Sequence, residues 1–457
     1  MVLLLAGIAF TVFVAVRRVY KFLFGSNKQY DKGYKEQWFG REPEPDDKSS
    51  QDKTIHPFKI NVPDEVLTDL KERLERTRLE DPVEESRFLY GFNPNTMRDI
   101  VAYWKKDYQW RKHEEELNQF PHFKTRIEGI DVHFIHVKPS VSDGIKIIPL
   151  MMIHGWPGSI VEFVKIIPIL TTPRPDRDFV FELICPSIPG YGFSESAHRS
   201  GCNGRAVARM FVTLMERLGH NKFYVQGGDW GSYISTLIAR YYAPRVKGLH
   251  VNMFFVNPRT LWERVKVFLV AMFPFLVPEA EYKMFFPLKK RVKELLEESA
   301  YFHMNSTKPD TVGCGMADSP AGMAGYLLEK IPVCTNPEYL NLPDGGITKK
   351  FTLDQLLTNV MVYWVNNNAT AAARFYKENM NDVMRGKHER YPVTVPSAVA
   401  VFPYEVLMMP RLLMTQQFQN MISYNLMPKG GHFAAWEEPE LLSNDVYQFV
   451  SKAEKIV

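Results

Sequence analysis

The stretch VQGGDWGS (225–232) carries an acid where sharp strand-to-helix turns usually carry a serine. Its pattern is small–x–Asp229–x–small, with Gly227 and Gly231 as the small residues. A serine that displaces oxygen at saturated carbon makes an ether, which water does not readily cleave. An aspartate makes an ester, which an activated water hydrolyses. The acid therefore suits epoxide opening or halide loss and argues against serine esterase or protease chemistry. Such a nucleophile needs a base and a group to orient it. Glu405 closes the run FPYE, and His432 sits in GGHF. Singly, each is an ordinary residue. In the order nucleophile, acid, histidine, each just after a strand-like run, they form a candidate relay.

The elements that must position these groups alternate. IIPLMMIHG (147–155) is a continuous apolar run ending in glycine, as expected of a parallel strand buried on both faces. FVFELICPSIPGYG (179–192), KFYVQGG (222–228) and VKGLHVNM (246–253) repeat it, and the third leads into the helical SYISTLIARYY (232–242). This predicts a doubly wound α/β sheet. YPVTVPSAVAVFPYE (391–405) and MISYNLMPKGGHF (421–433) add two late strands. Upstream, a helix is expected from Pro63, with Val66, Leu70 and Leu74 as its buried stripe, then a second helical stretch over Asn95–Leu117 and a hairpin about Glu128–Gly129.

The chain order of Asp229, Glu405 and His432 is that of the α/β-hydrolase fold. In that architecture the loop HGWPGS (154–159) offers one backbone N–H to an oxyanion hole and the residue after the nucleophile offers another, here Trp156 and Trp230. The expected organisation is a membrane anchor over 1–24, a polar stalk and helical extension over 25–122, and the first part of the core over 123–256. A helical lid inserted late in the sheet (257–390) and the second part of the core (391–457) follow.

The 457 residues, 45% hydrophobic, suffice for a large core. A net charge of +4 without an aromatic-studded basic patch gives no reason to expect a nucleic-acid partner. Cys185, Cys202, Cys314 and Cys334 lack metal-ligand spacing and read as free buried thiols; no metal or organic cofactor is expected. VLLLAGIAFTVFVAV (2–16) has no charge, and Arg17, Arg18 and Lys21 follow it. This pattern predicts an uncleaved anchor with the bulk of the chain in the cytosol. NST at Asn305 and NAT at Asn368 would report the opposite orientation, and Trp38 and Phe39 in the stalk could touch the bilayer.

HGWPGS, CPSIPGYGFS, QGGDWGS, ESAYFHMNSTKPDT, DSPAGMAGYLLEK, LTNVMVYW, RFYKEN, FPYE and GGHFAAWEEPE together resemble the microsomal epoxide hydrolase family, which includes the juvenile hormone epoxide hydrolases of insects. The resemblance runs from the N-terminal apolar segment to about Leu441. It implies a lid with two tyrosines that grip the epoxide oxygen, matched here by Tyr301 in SAYFH and Tyr376 in RFYKEN. Glu405 is the acid expected of this branch, where soluble relatives commonly use aspartate. The function implied is a cofactor-independent hydrolase of the endoplasmic reticulum membrane, its catalytic domain facing the cytosol. It would convert lipophilic epoxides (xenobiotic arene or alkene oxides, or juvenile-hormone-type terpenoids) to vicinal diols through an ester on Asp229. Its partners would be the epoxide, water and the lipid bilayer. Two alternatives stay open: a haloalkane dehalogenase-like hydrolase, which would need halide donors where the tyrosines sit, and a catalytically silent binding protein of the same fold.

Overall fold

The computed structural model describes residues 37–47, 52–141, 144–254, 258 and 260–456. The anchor expected over 1–24 lies outside them, and among the described residues no helix is long and apolar enough to cross a membrane.

Nine strands form one mixed sheet: β1 (Ile55–Phe58), β2 (His122–Ile127), β3 (Ile130–Val137), β4 (Lys146–Ile153), β5 (Phe179–Pro186), β6 (Phe223–Gly227), β7 (Val246–Val251), β8 (Ser397–Val401) and β9 (Met421–Leu426). Their spatial order is β1-β2-β3-β5-β4-β6-β7-β8-β9. From β5 to β9 the pairings are parallel; the β1, β2 and β3 pairings are antiparallel. The chain leaves β4 for β5 on one side and crosses to β6 on the other. That reversal opens a crevice at the carboxyl ends of β4 and β6, where ligands settle in α/β sheets.

The hairpin forms as its sequence predicts. Glu128 and Gly129 both take positive φ, 50° and 82°, the pair that a two-residue turn matched to strand twist requires. Between β7 and β8 the named elements are all helical, from Leu261–Met272 to Ala369–Met384. β4 carries Pro149, unusual in a central strand. Pairing with β6 begins only at Leu150, so the proline sits where the strand is still open on that side.

Several expectations need correction. The helical stretch over Asn95–Leu117 is two helices, Pro94–Lys106 and Trp110–Leu117. The break turns Tyr108 inward, where its hydroxyl hydrogen-bonds that of Thr358 at 3.1 Å. Ile55–Phe58, read as part of a helical extension, adds a strand to the edge of β2; its Pro57 is tolerated because the edge is unpaired. Trp38 and Phe39 do not face outward. Phe39 is fully buried, its N–H donating to the Glu128 carbonyl and its own carbonyl accepting from His198. The four thiols are free, but Cys314 is exposed. Asn305 and Asn368 are both buried, and Asn368 donates to the Gly192 carbonyl.

The close packing of β4 and β6 against the start of the helix Asp229–Tyr241, hereafter the elbow helix, has a measurable consequence. A Cβ at Gly231 would run into the Ile153 carbonyl oxygen, and one at Gly227 into the Gly231 carbonyl. Gly231→Ala should lower stability by about 2 kcal/mol or more, because the neighbour is backbone and cannot swing away. A calorimetric melting temperature equal to that of the parent protein would contradict this packing.

Candidate active site

The site is built on the carboxyl ends of four parallel strands. β6 enters the elbow helix with Gly228 as the single intervening residue, so Asp229 stands at the turn itself. Its φ is 49°, a left-handed conformation uncommon for L residues, though aspartate and asparagine enter it more readily than most. Such strain persists where the surroundings leave no alternative. The surroundings here are glycines. Besides Gly227 and Gly231, a Cβ at Gly155 would overlap the Asp229 carboxylate itself.

The carboxylate is held from both sides. Asp229 Oδ1 accepts the Trp156 N–H at 2.7 Å, and Oδ2 lies 3.3 Å from His432 Nε2. On its far side His432 meets Glu405, with Nδ1 and Oε1 2.6 Å apart. The same Glu405 oxygen accepts the Val406 N–H at 2.6 Å, and both side chains are buried. Asp229, Glu405 and His432 are thus brought together as their chain order suggested. The Trp156 N–H, expected as an oxyanion donor, is the one that holds Asp229 Oδ1. Trp230 is the second residue of the elbow helix, where an N–H has no intrahelical acceptor.

Tyr301 and Tyr376 arrive from the helices between β7 and β8 and meet the core at tryptophans. Tyr301 stacks on Trp156 with centroids 4.8 Å apart and planes 10° from parallel. Tyr376 packs edge-on to Trp230 at 4.8 Å and to Tyr301 at 6.1 Å. A cavity of about 150 Å³ is lined by Asp229, His432, Trp156, Trp230, Tyr301 and Tyr376 among others. Glu405 lies behind it, screened by His432.

Residues matching the epoxide hydrolase N-terminus family model cover 55–163, and those matching the alpha/beta hydrolase fold model cover 148–282. The chain is 48% identical to epoxide hydrolase 1 of Sus scrofa over 92% of this chain and 93% of that protein. The chain belongs to the epoxide hydrolase family. It is 45% identical to juvenile hormone epoxide hydrolase 2 of Ctenocephalides felis, over 88% of this chain and 86% of that one. The crystal structure of juvenile hormone epoxide hydrolase from Bombyx mori superposes with a TM-score of 0.87 at 38% identity, covering 92% of this chain and 99% of that one. The epoxide hydrolase of Aspergillus niger gives 0.73 at 26% identity, covering 89% and 98%.

This epoxide hydrolase contains supports that sequence reasoning did not assign. The helix Leu353–Val365, which carries LTNVMVYW, clamps the HGWPGS loop. Tyr363 donates to the Gly158 carbonyl at 2.6 Å, Asn359 Nδ2 to the Pro157 carbonyl at 2.8 Å, and Ser159 to Asn359 Oδ1 at 2.8 Å. His154 accepts the Ile188 N–H, and burial lowers its pKa to about 4, so it is neutral and structural. Glu162, buried beside Gly158, faces the same group of charges. Burial pushes its pKa up to about 8. Its one sequence signal was a lone acid within the otherwise apolar IVEF (160–163).

The electrostatics favour an imidazolium in the resting epoxide hydrolase. Burial opposes a charged His432, but the charge of Glu405 and the hydrogen bonds to Asp229 and Glu405 outweigh it and raise its pKa well above the ordinary histidine value. Tyr301 and Tyr376 are pushed well above the ordinary phenol value, by burial first and then by nearby groups including Asp229. Both are therefore neutral donors at physiological pH. The His432 shift can be tested with Asp229→Ala. Removing one of two carboxylate partners should lower the His432 pKa, and NMR titration of its ring signals should show this. An unchanged value would mean that Asp229 does not share its charge with the imidazole.

Proposed function

We propose that the enzyme opens lipophilic epoxides in two steps through an ester on Asp229. The observation that carries this reading is the division of labour at the nucleophile: one Asp229 oxygen is held by the Trp156 N–H while the other faces the cavity beside His432. Oδ2 attacks an epoxide carbon, the C–O bond breaks, and Tyr301 or Tyr376 supplies a proton to the departing oxygen. Alkylation removes the charge of Asp229, so the His432 imidazolium loses one of its two anionic partners, its pKa falls, and its proton passes to the tyrosinate, leaving a neutral imidazole that can act as a base. It takes a proton from water, and the resulting hydroxide adds to the ester carbonyl. The N–H groups of Trp156 and Trp230 then hold the oxyanion, each typically worth about 3 kcal/mol in such sites. Collapse expels the diol oxygen, which takes the proton from His432. The proton left on the regenerated Asp229 carboxyl passes to His432 and restores the imidazolium, and the cycle consumes one epoxide and one water.

The helices between β7 and β8 act in this reading as a lid that carries the two phenols. The apolar cavity suits lipophilic epoxides, xenobiotic or terpenoid. Membrane association through the N-terminal segment, at the endoplasmic reticulum with the catalytic part in the cytosol, rests on the uncharged run 2–16 and the cations after it. Exposed apolar residues on the lid surface agree with it, notably Trp262, Phe268 and Phe275, the last 81% exposed.

A single turnover with enzyme in excess, in ¹⁸O-water, tests the ester. The first diol should be largely unlabelled and the label should appear in the peptide containing Asp229; a fully labelled first diol would mean direct attack by water. The roles of the other groups separate by intact mass. His432→Gln should accumulate a covalent adduct and release diol at least a hundredfold more slowly, in line with losing a general base. Tyr301→Phe combined with Tyr376→Phe should slow alkylation and accumulate none. The reverse pattern would exchange these assignments.

A further inference from the structure

Two histidines and a glutamate meet on the sheet away from the reacting carboxylate, toward the amino ends of the parallel strands. His136 lies near the end of β3, Glu182 on β5, and His220 in the connection from the helix Gly204–Arg217 to β6. His136 pairs with Ile184, two residues from Glu182. On an antiparallel pair that offset leaves both side chains on one face. The turn after the helix then brings His220 to the same place.

The three converge on one atom. Glu182 Oε1 lies 2.7 Å from His136 Nε2 and 3.3 Å from His220 Nε2. All three ligand atoms fall within 4.8 Å of one another, the one such set of histidine, cysteine and acidic side chains among the described residues. His136 Nε2 hydrogen-bonds the carboxylate. His220 Nε2 is buried beside the same oxygen and makes no hydrogen bond. A buried polar nitrogen in that state costs free energy unless a partner satisfies it. The ligands are held from behind. The His136 N–H donates to the Pro121 carbonyl at 3.0 Å and the His220 N–H to the Met215 carbonyl at 2.9 Å. Side-chain exposures of 7%, 14% and 17% for His136, Glu182 and His220 leave the group shielded yet reachable by an ion.

Two imidazoles and a carboxylate suit a borderline divalent ion such as Zn²⁺, whereas Mg²⁺ and Ca²⁺ ask for oxygen ligands. At zinc–ligand lengths of about 2.1 Å, tetrahedral neighbours stand roughly 3.4 Å apart, which these atoms reach by shifts of about 1.4 Å or less. We propose that His136, Glu182 and His220 form a zinc site, with the ion on the two Nε2 atoms and Glu182 Oε1 and water in the fourth position. The ion takes the place of the proton on His136 Nε2, and the ring keeps its other proton position, Nδ1. β6 alone puts roughly 16 Å of strand between His220 and the elbow. The ion therefore takes no part in epoxide opening, and the site does not depend on that reading. It joins β3, β5 and the turn before β6, and binding stabilises the folded chain by mass action. The expectation of no metal rested on cysteine spacing, and this set contains no cysteine; its first two members stand 46 residues apart.

The test uses the full-length enzyme, stripped with a chelator and then offered Zn²⁺ alone, with Mg²⁺ in parallel. Metal content is measured after gel filtration, and Tm by calorimetry. The parent should retain one Zn²⁺ per chain and no Mg²⁺, and should melt a few degrees higher with zinc than without. Co²⁺ in its place should give the visible d–d bands of a four-coordinate site. His220→Gln and Glu182→Gln should each weaken Zn²⁺ binding at least about a hundredfold, more than the loss of an outer-shell partner costs. Both should also remove the zinc-dependent rise in Tm and the Co²⁺ bands. Diol formation by folded His220→Gln should match that of the metal-free parent. A purely structural hydrogen-bond cluster would lower Tm in the variants without any zinc dependence in the parent. The proposal is overturned if the stripped parent retains no Zn²⁺, if zinc leaves its Tm unmoved, or if His220→Gln binds zinc as the parent does. Zinc retained by both variants but lost from His432→Gln would place the ion at the catalytic histidine and equally overturn it. Should Glu182→Gln fail to fold, His220→Gln, in a turn, decides.

Discussion

Asp229 keeps its left-handed backbone because there is no volume for anything else around it. Gly227 and Gly231 let the end of β6 and the start of the elbow helix press against the β4 carbonyl of Ile153, and Gly155 leaves the space that the carboxylate fills. A close approach of this kind converts backbone strain into placement. It fixes the carboxylate between the Trp156 N–H and the His432 imidazole, and the remaining parts of the site are arranged around that point.

The charges follow from the same crowding. Four carboxyl groups surround or approach one imidazole: Asp229, Glu405, Glu162 and Glu437. Burial pushes Glu162 and Glu437 each up to about 8, so at neutral pH these two are largely uncharged. Glu437 is further occupied in accepting the Phe433 N–H at 2.9 Å, next to His432 in the chain. The histidine therefore faces two anions, Asp229 and Glu405, and a reaction that esterifies Asp229 changes its environment by a whole charge. In a buried setting that change is felt strongly, because little solvent screens it.

The core and the helices between β7 and β8 meet at the HGWPGS loop. One of those helices, Leu353–Val365, holds the loop through Asn359 and Tyr363, while Tyr301 and Tyr376 pack on Trp156 and Trp230 at its mouth. The loop whose Trp156 N–H holds Asp229 Oδ1 is thus clamped from the same side that brings Tyr301 and Tyr376 to it. Displacing these helices would disturb the donor as well as the phenols.

Local chemistry made much of this legible from sequence. A glycine-flanked acid and apolar runs ending in glycine are short-range signals, the order of Asp229, Glu405 and His432 can be read along the chain, and the hairpin at Glu128–Gly129 announces its own turn. Tyr301 and Tyr376 came from motif resemblance, since among 21 tyrosines spacing gives no reason to choose two. What tertiary structure alone decided are the contacts between distant segments. It buried Phe39 against the hairpin instead of leaving it at the surface, and it buried Asn305 and Asn368 among the helices between β7 and β8. It split Asn95–Leu117 so that Tyr108 could reach Thr358, and it set Asn359 and Tyr363 on a loop some two hundred residues earlier. The raised pKa of His432 has the same origin. Neither the burial nor the two carboxylates that produce it are neighbours in the chain, so composition and periodicity carry no trace of them.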